Sequence, residues 1–222
     1  IERLNLIKVT IPLLIMLLII FSFMMYGVMT NCHLLKVIDK SSLEWFTQCF
    51  GHPPRVYEGD ILNLYMTFCA TVGDVSTVLK LASIVVICLF IFKNKHQAIW
   101  VLLMTTGTWI NYLIKQTVER QRPYSHLAID SGWSFPSGHS NASTLLFLVI
   151  MLTIVPVIKV KVIRIIIIIV TSIIWISILF CRLYFHAHYL TDVIGGGTLA
   201  VVWVLLFIMA YPLFTLRNNK KN

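Results

Sequence analysis

The chain has 222 residues, of which 58% are hydrophobic and only 12% are charged, and its mean hydropathy is +0.85. A soluble domain carries about 25% charged and about 45–50% apolar residues, so the composition excludes a soluble enzyme, a disordered chain and a disulfide-rich secreted module. Each membrane-spanning helix needs about 20 apolar residues. The sequence therefore predicts an all-α, polytopic membrane protein with short loops and a single domain over residues 1–222.

Six apolar segments are predicted to cross the membrane. The first follows Arg3 and Lys8, and at about 20 residues it is longer than the roughly 7–15-residue core of a signal peptide. Asp74 is placed to cap the second, and Pro123 stops the helical pattern that extends the third. The predicted spans are 9–28, 75–92, 98–114, 141–157, 162–180 and 191–211.

The longest polar segment, residues 31–60, is predicted to be a loop after the first span. Within it, residues 43–50 fit a short surface helix. Residues 61–72 are apolar but too short to cross the membrane. We therefore expect short interfacial helices in this first extracytoplasmic loop. Cys32 and Cys49 lie in the same segment, and their spacing leaves open whether they form a disulfide.

The formal net charge of +9, from 18 Lys and Arg against 9 Asp and Glu, follows from membrane topology. Cytoplasmic segments collect Lys and Arg. The tails and the turns on one predicted side hold ten basic residues against Glu2, whereas the other side holds eight basic and eight acidic residues. We therefore expect both termini in the cytoplasm and no nucleic-acid partner. The ten basic residues are Arg3, Lys8, Lys93, Lys95, Lys159, Lys161, Arg164, Arg217, Lys220 and Lys221.

Polar clusters on the predicted extracytoplasmic side indicate an anion site. Lys115 and Arg122 are seven residues apart, which is two helical turns and puts both cations on one face. The Pro-Ser-Gly-His segment at 136–139 begins a predicted helix, and backbone N–H groups at such a start bind anions. With Arg182 as a third cation, this set suits a tetrahedral dianion such as phosphate.

A histidine and a carboxylate on the same side indicate catalysis. Asp192 follows His188 by four residues, so its carboxylate can accept the ring N–H and hold the imidazole in one tautomer. His188 then suits a nucleophile, and His139 suits a proton donor. Ionisable residues at membrane level are costly and usually functional, so we expect phosphate chemistry at this face.

Three motifs, in order, resemble those of the type 2 phosphatidic acid phosphatase superfamily: Lys-x6-Arg-Pro from Lys115, Pro-Ser-Gly-His from Pro136, and Arg-x5-His-x3-Asp from Arg182. That superfamily includes lipid phosphate phosphatases, phosphatidylglycerophosphatase B, some undecaprenyl pyrophosphate phosphatases and the vanadium haloperoxidases. The motifs cover residues 115–192. Cys181 departs from the pattern, which usually has Ser before this Arg.

The resemblance implies a role for each residue. His188 attacks phosphorus and forms a phosphohistidine, Asp192 orients it, and His139 protonates the leaving oxygen and then activates water. No metal or other cofactor is needed. The implied substrate is a lipid phosphate or pyrophosphate, hydrolysed at the extracytoplasmic face of a bacterial plasma membrane. The groups that hold the phosphoryl oxygens are Lys115, Arg122, Arg182, Ser137 and the Gly138 backbone.

Three alternative functions stay open. A dedicated undecaprenyl pyrophosphate phosphatase is one, although Gly138 favours a phosphatidylglycerophosphatase B-like enzyme because some dedicated enzymes carry Asp there. A metal site of three histidines, His139, His186 and His188, is disfavoured by the nearby cations, and His186 is otherwise interpreted as a packing residue. An anion channel or transporter is disfavoured because it has no use for an oriented histidine and a second, separate one.

Three further patterns are interpreted as structural. Lys115 and Glu119 are spaced for an ion pair along one helix. His126 and Asp130 repeat the His-x3-Asp spacing but are predicted to form a surface pair. The three glycines at 195–197 lie inside the last span and predict close helix packing rather than a phosphate loop.

Overall fold

The structure is a computed structural model that describes residues 2–218, with side chains over residues 8–210. The described residues form nine α-helices, and α7 continues through a π-helical segment, Ile150–Ile154, and a short 3-10 turn, Val155–Val157. The helices are α1 (Glu2–Met29), α2 (His33–Phe50), α3 (Ile61–Val72), α4 (Val75–Ile91), α5 (Lys95–Thr105), α6 (Gly107–Val118), α7 (Gly138–Val149), α8 (Lys161–Tyr184) and α9 (Leu190–Asn218).

The all-α class is confirmed, and the membrane-spanning helices form most of the fold. Four helical segments of the described chain, which are named at the end of this paragraph, could each cross a membrane. The helices α3 and α4 are bent by 61° relative to each other, and they give a fifth span if they count as one broken span. The predicted count of six spans stays a prediction. The four segments of the described chain that are long and apolar enough to cross a membrane are Lys8–Met29, Gly138–Val157, Lys161–Tyr184 and Leu190–Ala210.

The predicted third span, 98–114, is divided between α5 and α6, which meet at Thr106. Gly107 begins α6 and lies against α9. A Cβ atom on Gly107 would come within 2.7 Å of Cδ1 of Trp203, so the close approach of these helices requires a glycine here.

The first loop is more helical than predicted. The expected surface helix at 43–50 is the last part of α2, which begins at His33 because Leu35, Asp39 and Phe46 form one buried helix face. The expected interfacial helix at 61–72 is α3. A disulfide between the cysteines at the two ends of α2 is ruled out, because about 25 Å of helix separates them, and both are free thiols.

Close packing of α7 against α9 sets the position of the polar end of the bundle. A Cβ atom on Gly196 would come within 3.1 Å of Cβ of Ser140, and Asn141 Nδ2 donates a hydrogen bond to the Gly196 carbonyl at 3.3 Å. A Cβ atom on Gly195 would come within 2.7 Å of the Phe135 ring. The interpretation of 195–197 as a helix-packing patch is confirmed, and this packing brings the start of α7 beside the start of α9.

The predicted orientation of the chain rests on charges that the structure describes only in part. Lys93, Lys95, Lys159 and Lys161 lie at or beside the α4–α5 and α7–α8 connections, as predicted. The side chains of Arg3 and Arg217 are not described, and the last two lysines, at 220 and 221, lie outside the described residues. The cytoplasmic location of both termini stays a prediction.

Candidate active site

His188 lies in the loop that joins α8 to α9, and its ring is only 1% exposed. The Nδ1 atom lies 3.5 Å from Oδ2 of Asp192 and 3.2 Å from Oγ of Ser134, and the Ser134 hydroxyl also donates to Oδ2 of Asp192. At the other side of the ring, Nε2 lies 3.1 Å from Nη1 of Arg122. The predicted histidine–carboxylate pair therefore forms, with Ser134 as a shared partner that the sequence analysis missed.

The environment of His188 favours the neutral imidazole. Burial lowers the pKa of His188 well below the ordinary value of 6.5, and the positive charges of Lys115, Arg122 and Arg182 lower it further. A neutral imidazole retains a lone pair on one ring nitrogen. The His188 ring can therefore act as a nucleophile at neutral pH.

Lys115 and Arg122 both lie near His188, but not because they share a helix face. The helix α6 ends at Val118, and Glu119 adopts a left-handed backbone conformation with φ of 51°. Arg122 therefore reaches the site from a loop, where Nη1 donates to the Ala187 carbonyl at 2.7 Å. Its other guanidinium nitrogens donate to the carbonyls of residues 131 and 132.

The Lys115 ammonium is held by backbone rather than by a carboxylate. Its Nζ donates to the Trp133 carbonyl at 2.8 Å. The ion pair predicted between Lys115 and Glu119 is not found in the described part of the chain, because the backbone turns at Glu119. Burial and the neighbouring Arg122 charge lower the pKa of Lys115 to about 8, and its Nζ lies beside the 131–134 segment that leads to His188.

Arg182 is fully buried at the end of α8 and is only partly paired. Its Nη2 donates to Oδ1 of Asp130 at 2.8 Å, whereas Nε and Nη1 have no hydrogen-bond partner. The predicted surface pair of His126 and Asp130 is wrong, since Asp130 is buried against Arg182 and His126 contacts the Pro123 carbonyl instead. Buried unpaired donors are costly, so an anion between Arg182 and His188 would complete this arrangement.

The start of α7 lies beside the start of α9 and contacts the backbone of Asp192. Ser137 is the N-cap, and its Oγ accepts from the Ser140 N–H at 3.4 Å, while its own N–H donates to the Asp192 carbonyl at 2.9 Å. A Cβ atom on Gly138 would come no closer than 3.4 Å to the protein, to Cγ2 of Val75. Protein packing alone therefore does not require glycine at 138, and close approach of a ligand to the backbone would.

His139, the predicted proton donor, contacts the carboxylate of Asp74, which the sequence predicted to be a helix cap. Its Nε2 lies 2.8 Å from Oδ1 of Asp74. Nη2 of Arg55 lies 2.8 Å from the other oxygen of the same carboxylate. Asp74 is the N-cap residue of α4, as predicted, but its side chain makes no cap hydrogen bond. Asp74 instead connects the first loop to His139.

Arg120 is a second residue that the sequence analysis missed. Its Nη1 lies 2.6 Å from Oδ1 of Asp192 and 2.7 Å from Oγ1 of Thr191, and its Nη2 lies 2.6 Å from Oδ2 of Asp39. The spacing of Leu35, Asp39 and Phe46 on one face of α2 was a signal for Asp39, because it puts a carboxylate on an otherwise apolar helix face. Asp192 is thus held by a cation as well as by Ser134.

The three-histidine metal site does not form. Nε2 of His186 lies 2.9 Å from Oγ1 of Thr47, and its ring lies against that of His52 with 4.8 Å between centroids. No group of three or more His, Cys, Asp or Glu side chains that could hold a metal ion occurs among the described residues. The interpretation of His186 as a packing residue fits these contacts.

A cavity of about 650 Å³ lies beside Arg120, between α2, the end of α1 and the segment after α6. A second cavity, of about 510 Å³, lies over Arg122 and Trp133. Residues of α2 form part of the wall of the first cavity only, and each cavity has the volume of a small-molecule site.

Comparison with known proteins places this arrangement in a family. The profile described as "PAP2 superfamily" matches residues 97–215. Phosphatidylglycerophosphatase B of Bacillus subtilis (strain 168) is 30% identical over 153 residues, which cover 67% of this chain and 73% of that protein. The crystal structure of a transmembrane PAP2-type phosphatidylglycerolphosphate phosphatase from Bacillus subtilis superposes with a TM-score of 0.73 at 20% identity, covering 90% of this chain and 95% of that one. The fold is shared.

Proposed function

Because the chain belongs to the PAP2 superfamily, we propose that it is a membrane lipid phosphatase that hydrolyses lipid phosphates through a phosphohistidine on His188. One observation carries the proposal. Arg182 is fully buried, leaves two guanidinium nitrogens unpartnered and lies beside a neutral, oriented His188. A phosphoryl group there would satisfy the arginine and face the nucleophile.

The first step forms the phosphoenzyme. The Nε2 atom of His188 attacks phosphorus, the bond from phosphorus to the lipid oxygen breaks, and that oxygen takes a proton from His139. Asp192 accepts the Nδ1–H, directly or through Ser134, and stabilises the positive ring. Transition-state charge on the phosphoryl oxygens is stabilised by Lys115, Arg122, Arg182, Ser137 and the Gly138 backbone.

The second step releases inorganic phosphate. His139, now neutral, takes a proton from water as the water oxygen attacks phosphorus. The bond from phosphorus to Nε2 of His188 breaks, and the free imidazole is restored. These steps use only residues of this chain, so the proposal includes no metal or other cofactor.

Phosphatidylglycerol phosphate is the first substrate to test, because the curated relative is named phosphatidylglycerophosphatase B. Phosphatidic acid and diacylglycerol pyrophosphate present the same phosphoryl group on a lipid. An undecaprenyl pyrophosphate phosphatase is the closest alternative. An anion channel is the alternative of another class, and release of phosphate by the purified protein distinguishes it.

The proposed location is the plasma membrane of a bacterium, with both termini in the cytoplasm and the active site on the extracytoplasmic face. The positive-inside distribution of Lys and Arg supports this orientation. We propose that residues 1–222 form one catalytic unit, since the first loop contributes Asp39, Arg55 and Asp74 to the charge network around the motifs at 115–192.

The test is phosphate release by purified protein in detergent. His188→Ala should reduce turnover to background while the melting temperature stays near that of the parent chain. His139→Ala should also be inactive with lipid substrates. His96→Ala, which removes an exposed histidine of α5, is the matched control and should be fully active. Retention of more than a few per cent of activity by His188→Ala would contradict the proposal.

A further inference from the structure

We infer that Asp74 is a positioning residue for His139, holding its Nε2 atom so that Nδ1 exchanges the proton with the leaving group. The inference rests on the proposed function and deepens it. Nε2 of His139 lies 2.8 Å from Oδ1 of Asp74, and an imidazole has two ring nitrogens. With Nε2 occupied by the carboxylate, Nδ1 is the remaining atom for proton transfer.

The position of Asp74 in the chain sets it apart from an ordinary helix cap. Asp74 immediately precedes α4, at the bend between α3 and α4, where an aspartate usually accepts from the first backbone N–H groups of the helix. Its side chain makes no such bond. One carboxylate oxygen faces His139 and the other faces Arg55 at 2.8 Å, so the group is directed to the site.

Charge balance gives Asp74 a reason to be there. Arg55 and Arg182 act on His139 as positive charges, and His139 in turn acts on His188. A protonated His139, which the proposed first step requires, is repelled by both arginines. Among the described residues, Asp74 is the carboxylate in contact with His139, and its negative charge offsets that repulsion.

This arrangement assigns a place to each of the two ring protons of His139 in both steps. To act as the acid of the first step, His139 must carry protons on both nitrogens, and the Nε2 proton then faces Oδ1 of Asp74 across the 2.8 Å contact. During phosphorylation of His188, Nδ1 gives its proton to the lipid oxygen, and Asp74 keeps the Nε2 proton in place. The neutral ring then has its lone pair on Nδ1, ready to accept a proton from water in the second step. The ring does not need to rotate between the steps.

Arg55 completes the arrangement from the first loop. Its side chain is 11% exposed, and it holds the Asp74 oxygen that does not face His139. The pair fixes the carboxylate against rotation. Residues 55 and 74 both precede the segment matched by the family profile, which begins at residue 97. The first loop therefore contributes a contact with His139 from outside that segment.

The experiment compares two leaving groups in Asp74→Asn. An alkyl leaving oxygen, as in short-chain phosphatidic acid, needs a proton from the acid, whereas p-nitrophenolate does not. We measure kcat/KM, because it reports steps up to phosphorylation of His188. Asp74→Asn should lower kcat/KM for phosphatidic acid by about thirtyfold, which is less than the roughly 10²–10⁴-fold contribution of a complete general acid, because His139 itself remains. For p-nitrophenyl phosphate the loss should be below about threefold, with the KM for both esters unchanged.

Two controls separate positioning from folding. Asp60→Asn alters a carboxylate of the same loop that caps α3, and it should leave both rates near those of the parent chain. In a His139→Ala background, adding Asp74→Asn should have no further effect on p-nitrophenyl phosphate hydrolysis. If Asp74→Asn does not fold, Asp74→Glu, which keeps the charge and moves it, should show the same dependence on leaving group.

An equal loss of kcat/KM for the two esters would overturn the inference and assign Asp74 a structural role. An additive loss in the His139→Ala background would overturn it as well. Failure of the proposed function is distinguishable, because in that case the unsubstituted protein would release no phosphate from either ester, or His188→Ala would remain active.

Discussion

Asp39 of α2 and Arg120, which are 81 residues apart in the chain, form an ion pair of 2.6 Å in the wall of the cavity of about 650 Å³. Arg120 extends the contact to Asp192, and Asp39 accepts from the Thr191 N–H at 2.9 Å and from the Thr191 hydroxyl at 2.8 Å. The start of α9, which carries the proposed orienting carboxylate of His188, is thereby attached to α2. The helix α2 thus supports the loop that carries His188.

Asp39→Ala should destabilise the protein and lower its turnover. The substitution leaves the Thr191 N–H unpaired and removes one of two carboxylates from a mostly buried Arg120. Breaking a buried pair by removing one partner costs about 3–5 kcal/mol, which thermal unfolding in detergent measures. Glu44→Ala, which breaks an exposed pair with Lys40 on the same helix, should cost about 0–1 kcal/mol. Equal effects of the two substitutions would contradict the supporting role.

Stability should fall as the pH is lowered below about 6.5, and His188 should account for part of the loss. Burial and three cations lower the pKa of His188 in the folded state. Above pH 6.5 the imidazole is neutral in both states. Below it the unfolded chain takes up a proton that the folded chain does not, so unfolding becomes more favourable, by up to about 1.4 kcal/mol per pH unit.

Thermal unfolding of the parent chain and of His188→Gln between pH 7.5 and 5.5 checks this prediction. Glutamine keeps a polar group of related size and does not titrate. The melting temperature of His188→Gln should therefore fall less over this range than that of the parent chain. An identical pH dependence of the two proteins would show that His188 is not held neutral.

Sequence reasoning predicted the helices that have a strong local pattern. The apolar run at 61–72 is bounded by Asp60, whose carboxylate accepts from the Asn63 N–H at 2.6 Å, and by Gly73, and the helix has the predicted limits. The bounds of the last two spans were also close. The division of the third span was not predicted, because it depends on the contact of Gly107 with Trp203 of a distant helix.

The proposed nucleophile and its cations could be predicted because each motif lies within a few residues of chain. The carboxylates that face them could not. Asp39, Asp74 and Asp130 reach Arg120, His139 and Arg182 through tertiary contacts over long chain separations. Local patterns predicted a helix cap at Asp74 and a surface residue at Asp130. Each prediction fits the neighbouring residues in the chain, and only the distant partners, His139 and Arg182, show the actual contacts.

Activity should persist in the presence of EDTA, and vanadate should inhibit it. The proposed site has cations where a metal enzyme has ligands, and vanadate imitates five-coordinate phosphorus beside His188. The measurement is the rate of phosphate release from phosphatidic acid, before and after dialysis against chelator, and with added vanadate. Loss of activity on chelation that zinc or magnesium restores would contradict the proposed chemistry.

Cysteine labelling should show that the active-site face is outside the cell. In a background without the native cysteines, Ser131→Cys should react with an impermeant thiol reagent in intact cells, because residue 131 is exposed near Arg122. Lys95→Cys and Lys159→Cys, both at exposed positions, should react only after the cells are opened. The opposite pattern would place the active site in the cytoplasm.

Discrimination between lipid headgroups should be modest, although the structure has room for a headgroup. The cavity beside Arg120 has about 650 Å³, but Asp39 and Arg120 in its wall already pair with each other. Its lysines, Lys36 and Lys40, are exposed. Of the buried polar atoms without a partner in the described chain, none belongs to a residue that lines this cavity.

Strong rejection of a wrong substrate requires buried polar groups that only the right substrate satisfies. Two unpaired donors belong to Arg182, which in the proposed mechanism contacts the phosphoryl group common to all candidates. We therefore expect kcat/KM values for phosphatidylglycerol phosphate, phosphatidic acid and an isoprenoid pyrophosphate to lie within about a hundredfold of one another, which is about 2.7 kcal/mol. Soluble phosphate esters should be much poorer, because they lack a tail that reaches the site between the helices. A preference above a hundredfold for one headgroup would mean that residues around the cavity rearrange to recognise it.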